Sequence, residues 1–154
     1  MPIGQGAGPN GIHFAQEYFN VCAPFKSGVN GFSYPQRIRI VGIPIHGGSH
    51  RFMVNLNSAS DTIFHFNPRF DEKCVVRNST KNGVWMHEER YESKFPFHHG
   101  RVFTLEFVAE DDSVSVYHNG EFFTNFELRD PCFTIREVEI AGDVEVHSVH
   151  ITQI

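Results

Sequence analysis

Short apolar runs separated by turn residues occupy most of the chain from Tyr18 onward. Within these runs apolar and polar residues tend to alternate, which is typical of strands that bury one face. No window of a dozen residues holds an apolar stripe with the 3.6-residue period of an amphipathic helix. The pattern predicts strands over residues 36–42, 51–57, 63–70, 73–78, 84–89, 101–108, 113–118, 121–123, 134–140 and 144–151.

A tight hairpin is the strongest local signal in the chain. Asn119-Gly120 separates the runs 113–118 and 121–123, and this dipeptide favours a two-residue turn. About ten short strands with no helices between them predict an all-β fold, an antiparallel β-sandwich. No internal repeat is visible, so we interpret residues 12–154 as one domain. Residues 1–11 are rich in Gly and Pro and are predicted to form a flexible tail.

The run 63–70 has two chemically different faces. Alternation along a strand places three aromatic rings on one face, those of Phe64, Phe66 and Phe70. The other face carries an imidazole, an amide and a guanidinium, from His65, Asn67 and Arg69. The aromatic face predicts burial, and the polar face offers hydrogen-bond donors and acceptors to one small polar object. Pro68 lacks an N–H, which predicts a distortion of the sheet or a sheet edge at this point.

A second polar group follows about twenty residues later. Trp85 is the only tryptophan in the chain and lies close to Glu88 and Arg90. A flat apolar ring beside mixed hydrogen-bonding groups suits a sugar, because one sugar face is rich in C–H groups while its rim carries hydroxyls. The plainer alternatives are a solvated sheet face for the polar row and a core position for the tryptophan. The co-occurrence of the two groups favours a sugar site.

These residues carry a family resemblance. His-Phe-Asn-Pro-Arg-Phe from residue 65, Val-Arg-Asn from residue 76 and Trp-x-x-Glu-x-Arg from residue 85 resemble the signature of galectins, the β-galactoside-binding lectins. Weaker similarity extends from Pro24 to the C-terminus. The resemblance implies a jelly-roll-like sandwich with a ligand groove on the outer face of one sheet. It implies a carbohydrate site built from His65, Asn67, Arg69, Asn78, Trp85, Glu88 and Arg90, with no cofactor.

The resemblance also implies a role for each residue. His65, Asn67 and Arg69 would hold the axial 4-hydroxyl of galactose, and Asn78 and Glu88 would hold its 6-hydroxyl. Trp85 would stack on the apolar face of the sugar. Arg69, Glu88 and Arg90 would reach the neighbouring sugar of lactose or N-acetyllactosamine.

The sequence departs from the family pattern in two places. Met86 stands where galectins usually have Gly, and a side chain there is expected to alter the local backbone, the placement of Trp85 and the width of the groove. The connection from Arg69 to Asn78 is short and lacks the additional ligand-contacting His of longer-loop members. An alternative function follows from the first departure: a galectin-fold interaction module that has lost galactoside binding.

Composition restricts the partners and the compartment. The formal net charge is −5 and no Lys/Arg block occurs, which argues against nucleic acid or an anionic membrane as the main partner. The chain has no apolar run long enough to insert into a membrane and no recognisable signal peptide. Cys22, Cys74 and Cys132 cannot all pair internally and are expected to be reduced. We therefore expect synthesis in the cytosol, and the resemblance implies export, where it occurs, by a non-classical route.

Two other kinds of site are weaker candidates. Glu88, Glu89 and Glu92 offer the carboxylate pair of a glycosidase, but the guanidinium groups expected on either side of Glu88 favour its ionised form and disfavour an acid. The His98-His99 and His147/His150 pairs lack a partner at metal-ligand spacing, so we expect no metal site. Asn78-Ser79-Thr80 is formally a glycosylation acceptor, which conflicts with a binding role for Asn78 unless the chain bypasses the secretory pathway.

The sequence thus predicts a non-enzymatic lectin for β-galactoside glycans of glycoproteins or glycolipids. A disaccharide in a shallow groove has few buried atoms, so we expect roughly micromolar to millimolar affinity for one site. Useful avidity then requires a second site, in a homodimer or a second galectin domain.

Overall fold

Two antiparallel sheets carry nearly all of the regular structure. The computed structural model of the chain describes residues 13–90 and 94–153. The strands in these ranges are β1 His13–Val21, β2 Phe25–Gly28, β3 Arg37–Pro44, β4 Phe52–Asn57, β5 Thr62–Arg69, β6 Cys74–Asn78, β7 Thr80–Lys81, β8 Val84–Trp85, β9 Phe103–Ala109, β10 Ser113–His118, β11 Glu121–Glu127, β12 Glu137–Gly142 and β13 Val144–Gln153. One 3-10 turn, Cys132–Thr134, precedes β12.

The strand order confirms the predicted antiparallel β-sandwich. The larger sheet has six strands in the order β1-β13-β3-β9-β10-β11, and the smaller has five in the order β2-β12-β4-β5-β6. β7 and β8 form a separate short hairpin beside β6. Every pairing between strands is antiparallel. The chain is therefore all-β in the part that the structure describes.

Aromatic rings from the two sheets meet in the core. Phe64 and Phe66 of β5 are fully buried, as the alternation predicted. The ring of Phe64 stacks on that of Phe126 from β11, with centroids 4.5 Å apart, and Phe66 meets Phe107 of β9 edge to face at 5.4 Å. Burying each such side chain stabilises the fold by roughly 1.5–3 kcal/mol. The opposite face of β5 is thereby directed away from the core.

The Asn119-Gly120 hairpin is confirmed. His118 pairs with Glu121 across the turn, and Asn119 and Gly120 have φ of 50° and 85°. Both central residues thus have the positive φ that a type I′ turn requires. Asn119 also accepts a hydrogen bond from the backbone N–H of Thr104 through its side-chain oxygen.

Several element boundaries differ from the prediction. β1, β2 and the short strand β7 were not among the predicted strands. The predicted strand 84–89 is wrong beyond Trp85, because the following residues are irregular and make only one isolated bridge, between Arg77 and Glu89. The predicted strand 134–140 begins only at Glu137, after the 3-10 turn. The predicted tail, residues 1–11, lies outside the described residues.

Two expectations drawn from composition concern the state of the cysteines and the presence of a membrane-spanning segment. Cys22, Cys74 and Cys132 are not joined in disulfides. Among the described residues, no helix has the length and apolar character needed to span a membrane.

Candidate functional site

A groove of about 520 Å³ lies on the outer face of the five-stranded sheet, partly covered by the segment that follows β8. It is lined by Arg51, Met53, His65, Asn67, Arg69, Val76, Asn78, Trp85, Met86 and Glu88. Six of the seven predicted site residues are in this lining. The seventh, Arg90, contacts it through two carboxylates described below. The structure therefore brings all of the predicted residues to one place.

The strand β5 supplies the polar floor of the groove. Because Phe64 and Phe66 are buried in the core, the alternating side chains of His65, Asn67 and Arg69 lie on the opposite face. β5 pairs with β4 on one side and with β6 on the other. Pro68 is thus not on a sheet edge, and that alternative is wrong.

Pro68 instead coincides with a local break in the ladder. Arg51 lies opposite Arg69 in an isolated bridge, and the regular β4–β5 ladder resumes only at Val54 opposite Phe66. This register places Phe52 opposite Pro68, which has no N–H to donate. The Nδ2 of Asn67 donates to the carbonyl oxygen of Phe52 at 2.8 Å. The Asn67 side chain therefore replaces a hydrogen bond that the proline backbone cannot make.

Asn67 also orients the guanidinium of Arg69. The Nε of Arg69 donates to Asn67 Oδ1 at 2.9 Å. Asn67 is 2% exposed, and both ends of its amide are thus hydrogen bonded within the protein. Its position is fixed before any ligand arrives.

Four charged side chains close a ring at one end of the groove. Glu72 accepts hydrogen bonds from Arg69 Nη1 at 3.0 Å and from Arg90 Nη1 at 2.7 Å, through different carboxylate oxygens. Glu88 accepts from Arg90 Nε at 2.9 Å and lies 3.6 Å from Arg69 Nη2. Each arginine is thus held between two carboxylates, which gives their planar donor groups a fixed direction.

Glu72 is a member of this ring that the sequence analysis missed. Hydrogen bonds from Arg90 and Arg69 lower its pKa to about 2, and the hydrogen bonds that Arg90 donates to Glu72 and Glu88 raise the pKa of Arg90. Glu72 therefore stays ionised at any physiological pH. Its place three residues after Arg69, in the short connection between β5 and β6, is the signal by which it was recognisable.

His65 is buried and paired through one ring nitrogen. Its Nδ1 lies 2.6 Å from Oδ1 of Asn55 on the neighbouring strand β4. Burial lowers the pKa of His65 to about 4 and outweighs a side-chain hydrogen bond with Asn67, which raises it, while the charge of Arg69 acts in the same direction as burial. The imidazole is therefore neutral at pH 7. The indole of Trp85 lies beside it, with ring centroids 4.7 Å apart.

Asn78 is held by a residue from a distant part of the chain. Arg129, which follows β11, donates from Nη1 to Asn78 Oδ1 at 2.9 Å and from Nη2 to the carbonyl oxygen of His87 at 2.8 Å. It also contacts Ser79 Oγ and Glu89 Oε2. Arg129 thus ties the edge strand β6 to the irregular segment that carries Glu88. Nothing in the local sequence indicated this role.

The sequon at Asn78 is incompatible with a glycan in the folded protein. Asn78 is 3% exposed, and its Nδ2, the atom that a glycan would occupy, donates to the carbonyl oxygen of Met86 at 3.0 Å. The conflict between glycosylation and a binding role is therefore resolved by burial.

Trp85 and Met86 form the apolar wall. The indole is 53% exposed, so its predicted place outside the core is correct. Met86 is 44% exposed and lines the groove beside it.

Met86 has ordinary backbone geometry. The non-glycine residues of positive φ in the described ranges are Asn20, His50, Lys73, Asn82 and Asn119. The Met86 N–H donates to the carbonyl oxygen of Ser79 at 2.9 Å. Met86 therefore does not need the left-handed conformation that favours Gly, and its side chain lines the groove.

Other lining residues were also absent from the predicted site. Met53 comes from β4, Arg51 directly precedes that strand, and Val76 comes from β6. Arg51 pairs with Glu72 at 3.2 Å and so extends the charged ring. Their own strand was predicted, but its position next to β5 depends on sheet order, which local pattern does not report.

Comparisons with known proteins agree with this geometry. A sequence model of the family described as galactoside-binding lectins matches residues 24–151. The chain is 37% identical over 144 residues to a 32 kDa beta-galactoside-binding lectin of Haemonchus contortus and 38% identical over 144 residues to one of Caenorhabditis elegans. Each match covers 92% of this chain and 50% of the relative, so the chain spans about half the length of these relatives.

Three further similarities are to proteins closer in length to this chain. Human galectin-7 is 37% identical over 118 residues, which cover 74% of this chain and 85% of that protein. The crystal structure of Caenorhabditis elegans galectin LEC-6 superposes with a TM-score of 0.85 at 40% sequence identity, covering 93% of this chain and all of that one. Sheep galectin-11, at 21% identity and a TM-score of 0.78, shares the fold.

Proposed function

The chain belongs to the family of galactoside-binding lectins, and on that premise we propose that its groove binds β-galactosides of the lactose and N-acetyllactosamine type. The observation that carries the proposal is the position of the Trp85 indole, half exposed and 4.7 Å from the His65 ring, at the edge of the polar floor. An apolar plate beside directional polar groups matches a sugar with one C–H-rich face. A solvated sheet face alone does not account for an exposed indole ring at this position.

The axial 4-hydroxyl of galactose is assigned to His65, Asn67 and Arg69. Arg69 is the principal donor, because its guanidinium is already aligned by Asn67, Glu72 and Glu88. Both ends of the Asn67 amide are used within the protein, so its main contribution is to aim Arg69. A site made of such groups discriminates against an equatorial hydroxyl, which leaves polar atoms unpaired.

The remaining assignments follow the order of residues along the groove. Asn78 and Glu88 are placed at the 6-hydroxyl, with Trp85 against the apolar face. Arg69, Glu88 and Arg90 are placed at the neighbouring sugar. The charged ring supports this, because its arginines retain donor hydrogens beyond those that the carboxylates accept.

We further propose that binding occurs without catalysis. A glycosidase needs one carboxylic acid that holds a proton at neutral pH and a second carboxylate. Glu72 has a pKa of about 2, and Glu88 is bonded to Arg90 and close to Arg69. Glu72 therefore does not hold a proton at neutral pH, and the carboxylate of Glu88 is engaged by two guanidinium groups. Incubation with lactose or a chromogenic galactoside should therefore release no product.

The biological partners are proposed to be galactose-terminated glycans of glycoproteins or glycolipids. A shallow groove predicts single-site affinity of roughly micromolar to millimolar, so a homodimer or a second recognition domain is proposed to supply avidity. The three cysteines, none of which is in a disulfide, support synthesis in a reducing compartment, with any export by a non-classical route.

A second candidate function rests on Met86. Its side chain lines the groove beside Trp85, where a galectin-fold module that has lost galactoside binding would carry an obstruction. Met86→Gly separates the two candidates, because the backbone at Met86 is unstrained and the substitution removes only the side chain. A lectin binds lactose with Met86 in place, whereas an obstructed module acquires binding only in the variant.

The test is retention of the full chain on lactose-agarose and its elution by free lactose. Cellobiose, whose 4-hydroxyls are equatorial, serves as the control eluent. Retention of the wild-type protein with elution by lactose alone supports the proposal. A folded wild-type protein that flows through, together with a Met86→Gly variant that is retained, supports the second candidate.

A further inference from the structure

A row of polar side chains crosses the five-stranded sheet at one level. His65 on β5 lies opposite Asn55 on β4, which lies opposite Glu139 on β12. Residues directly opposite each other in adjacent strands project from the same face of the sheet. The side chains of this row are hydrogen bonded to one another, so the row links the groove to a carboxylate two strands away.

The distances define the linkage. Nδ1 of His65 is 2.6 Å from Oδ1 of Asn55, and Nδ2 of Asn55 is 3.1 Å from Oε1 of Glu139. The same Glu139 oxygen accepts a hydrogen bond from Nδ2 of Asn57 at 3.1 Å. Asn55 is 7% exposed and His65 is 8% exposed, so water competes little for these contacts.

The chemistry of the row assigns a direction to every hydrogen bond. An ionised carboxylate only accepts, so Glu139 requires Asn55 to present its NH2 group. Asn55 must then turn its carbonyl oxygen toward His65, and that oxygen also only accepts. Nδ1 of His65 is therefore the protonated ring nitrogen. A neutral imidazole carries one proton, so Nε2 has a lone pair and is an acceptor.

The protonation states agree with this assignment. Partial burial raises the pKa of Glu139, but hydrogen bonds from Asn57 and Asn55 and the charge of Lys26 outweigh burial and lower it. Burial keeps His65 neutral, with a pKa of about 4.

We propose that Glu139 is a positioning residue that fixes the tautomer of His65 through Asn55 and so determines which hydroxyl the groove accepts. This inference rests on the proposed galactoside site. A ligand hydroxyl at His65 must donate to Nε2 while it accepts from Arg69.

The test replaces Glu139 with an isosteric neutral group. In Glu139→Gln the side-chain amide both donates and accepts, so the Asn55 amide is free to rotate and His65 is free to take either tautomer. Two-bond 1H–15N NMR spectra of the histidine rings, recorded on the ligand-free protein at pH 8, report the tautomer. We expect Nδ1–H for the wild type and a mixture for the variant, with lactose affinity about tenfold lower, the loss of one hydrogen bond.

Two companion variants separate the loss of the hydrogen-bonded row Glu139–Asn55–His65 from general destabilisation of the fold. Glu137→Gln alters a neighbouring carboxylate that accepts from Asn57 at 2.8 Å but does not contact Asn55, so it should change neither tautomer nor affinity. Adding Asn55→Asp to Glu139→Gln restores an acceptor-only group beside His65 and should recover Nδ1–H and most of the binding. This recovery also tests the proposal if the single variant is unstable.

The outcomes distinguish this proposal from the proposed function. An unchanged Nδ1–H tautomer and unchanged lactose affinity in a folded Glu139→Gln protein would overturn the role of Glu139 while leaving the lectin intact. Nε2–H in the wild type would overturn it as well. A wild-type protein with the Nδ1–H tautomer but no retention on lactose-agarose would refute the proposed galactoside binding. It would still support the control of the His65 tautomer by Glu139.

Discussion

The side-chain amide of Asn67 donates to the backbone carbonyl of Phe52 at 2.8 Å, directly opposite Pro68. A proline in an inner strand normally leaves a carbonyl on the neighbouring strand without its donor. Here the residue before the proline supplies that donor from its side chain. The same amide accepts from Arg69 Nε at 2.9 Å, so the repair of the sheet and the aim of the guanidinium depend on one residue.

This relationship predicts a partial rescue. Asn67→Ala leaves a buried carbonyl without a donor and should destabilise the fold by about 1–3 kcal/mol, with loss of lactose binding because Arg69 is no longer aligned. Adding Pro68→Ala restores a backbone N–H opposite Phe52 and should recover much of the stability but none of the binding. Urea unfolding and calorimetric titration with lactose measure the two effects. Equal stability of the single and double variants would show that the Asn67 side chain does not replace the N–H that Pro68 lacks.

Arg69 is predicted to be sensitive even to a change that keeps its charge. Its guanidinium contacts Asn67, Glu72 and Glu88 at once, whereas an ammonium is a point charge without a planar fork. Arg69→Lys should weaken lactose binding by at least about tenfold, or ~1.4 kcal/mol, and Arg69→Ala should abolish it. Arg69→Lys should change the thermal midpoint little, because the partner carboxylates of Glu72 and Glu88 are accessible to solvent and such ion pairs add little stability. Arg39→Lys on the other sheet is the matched control, and similar losses there would contradict a specific role.

Trp85 should affect binding far more than folding. The indole is 53% exposed, so Trp85→Ala removes little buried area from the free protein. Loss of the stacking surface should cost about 2 kcal/mol of binding free energy, roughly 30-fold in affinity. Since Trp85 is the only tryptophan, a lactose-dependent change of intrinsic fluorescence reports on this ring alone. An unchanged emission spectrum at saturating lactose would show that the ring does not contact the sugar.

The buried imidazole predicts a pH dependence with a defined sign. His65 has a pKa of about 4 in the folded protein and about 6.5 when unfolded. Lactose affinity should be constant from pH 8 to about pH 5.5 and fall toward pH 4, because protonated Nε2 no longer accepts. Glu72, with a pKa of about 2, stays ionised over this range.

The same shift affects stability. Between pH 6.5 and pH 4 the unfolded chain binds a proton at His65 that the folded chain excludes, so stability falls as the pH is lowered. The difference reaches about 3 kcal/mol at pH 4. Other histidines also titrate here, so the measurement is the stability of the wild type minus that of His65→Gln as a function of pH. A difference that does not vary with pH would refute the assignment.

Arg129 should influence the groove without lining it. Arg129→Lys keeps a positive charge near Glu89 but loses the paired contacts to Asn78 and to the carbonyl oxygen of His87. We expect a loss of about 1–2 kcal/mol in stability and about a fivefold fall in lactose affinity. Arg136→Lys, which removes contacts to Phe133 and Ile135 instead, should leave affinity unchanged. Binding unaltered by both variants would show that Arg129 only stabilises the fold.

The sequence by itself determined features that depend on neighbouring residues in the chain. The faces of β5 follow from two-residue alternation, because Phe64 and Phe66 seek the core and thereby turn His65, Asn67 and Arg69 outward. The turn at Asn119-Gly120 follows from the φ preferences of those two residues. The exposed indole of Trp85 was inferred from its neighbours Glu88 and Arg90.

The tertiary structure alone decided which distant residues complete the site. Glu139 meets the His65 row, and Arg129 meets Asn78, only because particular strands and the segments after them lie together in the folded sandwich. The irregular segment after Trp85 is likewise held by non-local contacts, a bridge between Arg77 and Glu89 and the side chain of Arg129. Sheet order is a sum of many non-local contacts, each weak and separated by long loops. No local pattern of apolar and polar residues records it.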